Sequence, residues 1–345
     1  MRKFFAIIAS CLALCACERS FDISRQAGDA TVWMTFIPSN DYDTTFFIVQ
    51  ATTPLAGVTE PVLTRGESVE VKVNGEQLKL EKNDRSVPDR LQFYSTDHVF
   101  KPGDVVEAVA TVPGTGSVSA SCEVPRPFPA CSWTATKVQR HNNAYIMLVD
   151  IDYDDSGEGG YYGAAVIQYH EQESQWEDYD PETGGKYWGE IKHSTRTSNL
   201  QPAPMSDTGS LSASSENPVM VAPRYYNTLS GNHRYAQIWH DTPGGSGGKR
   251  HMTFASRCYE EPAHWETSED SRYSGWHNNT YKYKLVLYRF SESCYNYLKA
   301  RYNDSHNDFS GLGLAPSSFV YTNVAGGAGV CGAYVVSESD WMQLD

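Results

Sequence analysis

The sequence predicts a mostly β protein with an N-terminal β-sandwich, Ig-like or transthyretin-like, and a second β-sandwich or barrel-like domain carrying one short C-terminal helix. Three observations carry this prediction. Short runs of β-branched and aromatic residues recur with turn residues between them, at the spacing of sandwich strands. Three prolines fall within Pro125-Arg126-Pro127-Phe128-Pro129, where the missing donors would break any ladder. Helical periodicity is legible in one segment only, near the C-terminus.

The elements follow in chain order. Residues 1–16 read as a leader, 17–30 as a polar tether, 31–124 as the first sandwich, 125–131 as the linker and 132–345 as the second domain. Val32 to Phe36 and Phe46 to Val49 are strands around a Pro38-Ser39-Asn40 turn. Ser68 to Val73 alternates with period two and ends at Asn74-Gly75, a dipeptide suited to the positive φ angles of a tight hairpin. Val99-Phe100, the Lys101-Pro102-Gly103-Asp104 turn and Val105 to Val112 repeat the rhythm. The second domain offers Ala144 to Ile151, Tyr161 to Tyr169, Tyr235 to His240, Met252 to Arg257 and Tyr281 to Phe290 as strands. A helix follows, capped by Ser291 or Ser293, with Glu292 in its first turn and Cys294 to Ala300 continuing it. Residues 171–230 read as a long polar insertion punctuated by Ser, Pro and Gly.

The leader has a basic start at Arg2-Lys3 and an apolar run from Phe4 to Leu14, the layout of an export signal. That run is short of the roughly 20 apolar residues needed to cross a bilayer. Leu14-Cys15-Ala16-Cys17 resembles a bacterial lipobox, in which cleavage precedes a cysteine that is then lipidated. Cys17 is therefore the expected lipidation site and the membrane the expected partner through its acyl chains; secretion after a cut at Ala16 is the alternative. Each buried CH₂ contributes about 0.8 kcal/mol, so several chains hold a protein durably. Glu18 and Asp22 resemble acidic surface-export signals, but Arg19 interrupts them, leaving a periplasmic or cell-surface face open.

Loss of Arg2 and Lys3 takes the formal charge from −14 to −16. A chain this acidic, with no clustered Lys/Arg stripe, is repelled by phosphate backbones, so no nucleic-acid partner is expected. Of eight cysteines, Cys11 and Cys15 leave with the leader and Cys17 takes lipid. Cys122, Cys131, Cys258, Cys294 and Cys331 remain, with no C-x-x-C pair. Cys122 and Cys131 flank the proline-rich turn and could close a small loop by a disulfide.

Several chemical motifs fail on inspection. His170-Glu171-Gln172-Glu173-Ser174 has Ser174 where a zinc-protease helix needs its second histidine. Gly244-Gly245-Ser246-Gly247-Gly248 matches G-x-S-x-G but joins two strands rather than a strand and a helix. Asp150, Asp152 and Asp154 are a weak calcium candidate within an acidic stretch, lacking the sixth-position glycine and the twelfth-position Glu of a calcium loop. No cofactor motif is recognised. Trp176, Tyr179, Tyr187 and Trp188 stand in a polar, acidic segment where rings could be exposed to a glycan or a peptide; folding back over the second domain is the alternative.

The C-terminus carries the most specific pattern. Leu285 to Phe290, Ser291-Glu292-Ser293-Cys294-Tyr295-Asn296-Tyr297-Leu298, Pro316, and Val320 through Gly326-Gly327-Ala328-Gly329-Val330-Cys331 to Tyr334 resemble the ending of a Bacteroidetes lipoprotein family known as domain of unknown function 4249. Val124-Pro125-Arg126-Pro127 and Trp239-His240-Asp241 are similar to further segments of that family. Cys331, where an aromatic is more usual, and the 171–230 insertion depart from it. The resemblance implies an outer-membrane lipoprotein accompanying a TonB-dependent receptor and supplies no catalytic residues. Gly326, Gly327 and Gly329 read as a tight turn rather than a phosphate cradle, because Val330 to Val336 reads as a strand. The expected role is a ligand- or partner-binding accessory of uptake, rather than an enzyme. An envelope hydrolase acting on glycans or peptides, and a structural or adhesive component, are the alternatives.

Overall fold

The computed structural model describes residues 30–41, 43–52, 66–83, 91–141, 143–203, 219–221, 234–241, 248–267, 274–305 and 321–344. The leader, Cys17, the tether up to residue 29, Gly244 to Gly247, Pro316 and Val320 lie outside these. The described residues are mostly strand, with one short helix. No helix among them is long and apolar enough to cross a membrane.

The first sandwich grows from strict alternation. In β7 (Val105–Val112) Val106, Ala108, Ala110 and Val112 are buried while Val105, Glu107 and Val109 face out. β7 lies between β3 (Ser68–Val73) and β8 (Gly116–Glu123), and β4 (Glu76–Leu78) flanks β3. Asn74 and Gly75 make the β3–β4 hairpin with φ of 53° and 84°. The facing sheet runs β20 (Ala328–Cys331), β1 (Val32–Phe36), β2 (Thr45–Ala51), β6 (Leu91–Thr96), β5 (Glu81–Lys82). Met34, Phe36, Phe47 and Val49 meet Val71, Val106, Ala108 and Val118 in one core.

One correction concerns the domain division. Residues 132–345 do not form a unit, because β20 returns to the first sandwich and pairs in parallel with β1, Trp33 opposite Ala328 and Phe36 opposite Cys331. Glycines make this approach feasible. A side chain at Gly329, whose φ is +112°, would run into the Met34 backbone, with Met34 N at 2.9 Å; one at Gly327 would strike the Val32 carbonyl and Val118. The glycine run is thus a close-packing device. The Val330–Val336 stretch is two strands, β20 and β21 (Tyr334–Glu338), broken at Gly332-Ala333. The Pro38-Ser39-Asn40 turn docks on β21: Tyr334 N donates to the Pro38 carbonyl, and the Asn40 amide exchanges two hydrogen bonds with Val336.

The second sandwich pairs a sheet of β14 (Gln201–Ala203), β17 (Lys249–Tyr259), β10 (Ala144–Asp154) and β9 (Cys131–His141) with a larger one. The larger runs β15 (Val219–Val221), β16 (Arg234–Asp241), β11 (Gly160–Tyr179), β19 (Ser274–Phe290), β18 (His264–Thr267). In addition, β12 (Lys186–Trp188) and β13 (Lys192–Asn199) pair with β11, and β21 pairs with β19. Met147, Val149, Ile151 and Phe254 face Ala164, Val166, Leu285 and Leu287 across the core. The opposite side of the larger sheet is covered by α1 (Glu292–Ser305), whose Cys294, Tyr295 and Leu298 pack on Ile238, Val286 and Tyr288. Both faces being buried explains why Tyr162 to Ile167 is almost continuously apolar. Ser291 caps α1, its Oγ accepting from Cys294 N at 3.2 Å.

The linker is pegged rather than free. Phe128 inserts among Tyr153, Tyr162 and Trp239, with ring centroids 5.1, 5.2 and 6.2 Å away. Trp239 Nε1 donates to the Tyr153 hydroxyl at 2.9 Å, and that hydroxyl donates to Asp241. Trp239 and Asp241 thereby line and tie the socket that holds the linker.

The disulfide expectation is overturned. Cys122 belongs to the first core and Cys131 packs against the second, and both are free thiols. The nearer neighbour of Cys122 is Cys331, with sulfurs 3.6 Å apart. The linker that separates the two cores also separates Cys122 from Cys131.

Candidate functional site

The 171–230 segment starts not as a loop but as a continuation of β11. That strand runs antiparallel to β19 from Tyr161 opposite Phe290 to Trp176 opposite Gly275. Beyond the body both strands are half-buried and set mostly with polar residues that carry no apolar period. β12 and β18 add to the two sides of this ribbon.

The ribbon end is built from backbone and amide locks. Trp276 Nε1 donates to Gln175 Oε1 at 3.1 Å, and Gln175 Nε2 donates to the Gly189 carbonyl at 2.8 Å. Gly189 N donates to the Trp176 carbonyl at 2.9 Å. Asp180 organises the turn between β11 and β12, accepting from Thr183 Oγ1 at 2.6 Å and Glu182 N at 2.9 Å; these bonds hold its carboxyl below the usual range. Glu177 is likewise held low by Lys186, with help from Ser274 N.

Three of the four aromatic candidates are exposed here: Tyr179 (46%), Tyr187 (52%) and Trp188 (45%). Trp176 is not; its indole covers Gly275 and stands edge-on to His277 at 5.5 Å. Trp265, 67% exposed, is the partner that sequence reading missed. Its ring lies 5.8 Å from that of Trp188, tilted by 66°, although the two come from opposite sides of the ribbon. The available signal was a tryptophan set between polar neighbours, His264 and Glu266, as Trp188 is set in a polar stretch.

His264, Glu266 and His277 share the opposite face of the same two strands, since strand alternation sends Trp265 and Trp276 the other way. They were not singled out in the sequence, because the pairing of β18 with β19 joins positions 264 and 277 only in three dimensions.

Asp150, Asp152 and Asp154 do not form a calcium loop. They lie on β10, where side chains two apart share a face, and each has other partners. His251 Nδ1 is 2.8 Å from Asp152 Oδ1, Thr253 Oγ1 donates to Asp150 at 2.5 Å, and Asp154 accepts from Ser156 N at 2.9 Å. Glu260, beneath the second core, is bound by Lys137 at 2.9 Å and by the Tyr283 hydroxyl. Asp155 is fully enclosed, 3.4 Å from Arg250 and accepting from Gly157 N at 2.9 Å. Burial pushes the Tyr283 and Tyr153 hydroxyls well above their usual range, each reinforced by its carboxylate partner.

No curated protein matches the chain closely enough to count as a relative. The family model described as domain of unknown function (DUF4249) matches residues 26–340, nearly the whole chain. The chain therefore belongs to the DUF4249 family.

Proposed function

We propose that this protein is an exported lipoprotein, anchored through Cys17 at the outer membrane, that binds a glycan at the end of its ribbon as an accessory of a TonB-dependent receptor. The observation that carries the binding role is the Trp188–Trp265 pair, two exposed indoles with ring centroids 5.8 Å apart. An exposed aromatic pair offers apolar faces for a sugar ring, while charged groups on the same strand face, such as Glu177 bound to Lys186, could exchange hydrogen bonds with its edges. Support for the address comes from the Leu14-Cys15-Ala16-Cys17 segment and the apolar run before it.

A tryptophan-fluorescence titration of the mature protein with oligosaccharides tests the site. Saturable binding weakened about tenfold or more, roughly 1.4 kcal/mol, by Trp188→Ala or Trp265→Ala is expected. Binding of peptides in place of glycans would move the assignment to a peptide ligand, and binding untouched by either variant would remove the site. Pull-down of the native lipoprotein should recover an outer-membrane receptor; recovering none would overturn the accessory role. A Cys17→Ser variant that still partitions with membranes would overturn the anchor.

A further inference from the structure

We propose that His264, Glu266 and His277 form a site for a divalent first-row transition metal, of which Zn²⁺ best fits the ligand set. The site goes beyond the glycan-binding reading and does not depend on it.

Strand geometry assembles the three groups. His264 is directly opposite His277 in the β18–β19 ladder, and Glu266, two residues on, shares their face. One ligand atom from each lies within 4.8 Å of the others, and Glu266 Oε2 is already 3.2 Å from His277 Nε2. Around a tetrahedral Zn²⁺ with bonds of about 2.0–2.1 Å, ligand atoms stand about 3.3 Å apart. The imidazoles are stacked, centroids 4.9 Å apart and tilted by 16°. Turning one ring about χ2 would bring both lone pairs onto a common ion.

His277 supplies the second, independent observation. Its side chain is 11% exposed, and both ring nitrogens are buried without a hydrogen bond. Nε2 faces the Glu266 carboxylate without hydrogen-bond geometry, and a cation held between them would satisfy both groups. Trp176 shields the ring on one side.

His264 is oriented from behind. Its Nδ1 is 3.1 Å from the Pro262 carbonyl, which can only accept, so Nδ1 carries the hydrogen and Nε2 keeps its lone pair for a metal. Glu261 Oε1, 3.8 Å from that Nε2, adds negative charge beside the site. Two imidazoles and one carboxylate suit Zn²⁺ and its neighbours, whereas Ca²⁺ and Mg²⁺ prefer oxygen alone. Glu266 is more than half exposed, which leaves an entry path and an open coordination position. An ion here would clasp the four-residue edge strand β18, and with it Trp265, to β19.

The test is calorimetric titration of the chelator-stripped, full-length mature protein with Zn²⁺, together with Co²⁺ substitution followed by visible absorption. One ion per chain is expected, with Co²⁺ bands of a nitrogen–oxygen site and no thiolate charge-transfer band. His277→Ala and the exposed Glu266→Gln should each weaken Zn²⁺ binding by more than about tenfold. Glu266→Gln changes a side chain that is more than half exposed, so it keeps the test decisive if His277→Ala fails to fold. Absence of stoichiometric binding, a thiolate band pointing to the cysteines, or unchanged affinity in Glu266→Gln would each overturn the site.

Discussion

Trp176 lies across Gly275, so close that a Cβ on Gly275 would stand 2.7 Å from the indole Cε3 and nearer still to Cδ2. A tryptophan directly opposite a glycine in an antiparallel ladder covers backbone that the glycine leaves bare. Gly275→Ala should therefore expel the indole and loosen the ribbon end, at a local cost of about 1–3 kcal/mol. Hydrogen exchange should quicken around residues 174–177 and 274–277 while the sandwich strands keep their protection. Unchanged exchange there would show that the ring tolerates the methyl group.

Phe128 carries the linker's attachment to the second sandwich. Phe128→Ala would empty a socket walled by Tyr153, Tyr162 and Trp239, and such truncations cost about 3–5 kcal/mol. Urea unfolding should show this as a lower midpoint. A midpoint within error of the parent would mean that the socket collapses without loss.

Gly329 faces the Met34 backbone in the parallel β1–β20 contact and has positive φ. Gly329→Val would force the two strands apart, a collision with rigid backbone of the kind that costs more than about 4 kcal/mol. Limited proteolysis should then cut between residues 321 and 333, where the parent resists. Equal resistance would contradict the close approach.

Glu67 gives the first sandwich an acid-sensitive contact. Burial alone would raise its pKa, but hydrogen bonds from Lys82 at 2.8 Å and the Tyr94 hydroxyl at 2.5 Å, helped by the charge of Lys82, outweigh burial and hold it below 4.5. A carboxyl depressed on folding stabilises the native state above its unfolded pKa. That contribution is lost as pH falls through the folded value. Glu67→Gln should thus flatten the decline of stability below about pH 4.5 and lower stability at neutral pH. Parallel stability–pH curves for parent and variant would refute the assignment.

Much of the fold was legible because burial on one face writes itself into the chain. Ser68–Val73 and Val105–Val112 alternate, and both occur as strands with those bounds. Ser291 and Glu292 mark the start of α1. The ribbon was not legible, because residues such as His170-Glu171-Gln172-Glu173 form a ladder with both faces polar. The pairing of strand β20 was hidden for another reason: its partner β1 lies nearly three hundred residues earlier, and parallel pairing leaves no local mark.

The residue order alone determined the β class, the proline-rich break, the hairpin at Asn74-Gly75 and the helix cap, since each depends on neighbours a few positions apart. Tertiary structure decided that the C-terminal tail joins both sandwiches, that Cys122 lies beside Cys331 rather than Cys131, and that Trp188 meets Trp265. It also decided that His264 stands opposite His277. Ladder register and sheet curvature create those four relationships, and both are set by packing between segments far apart in the chain.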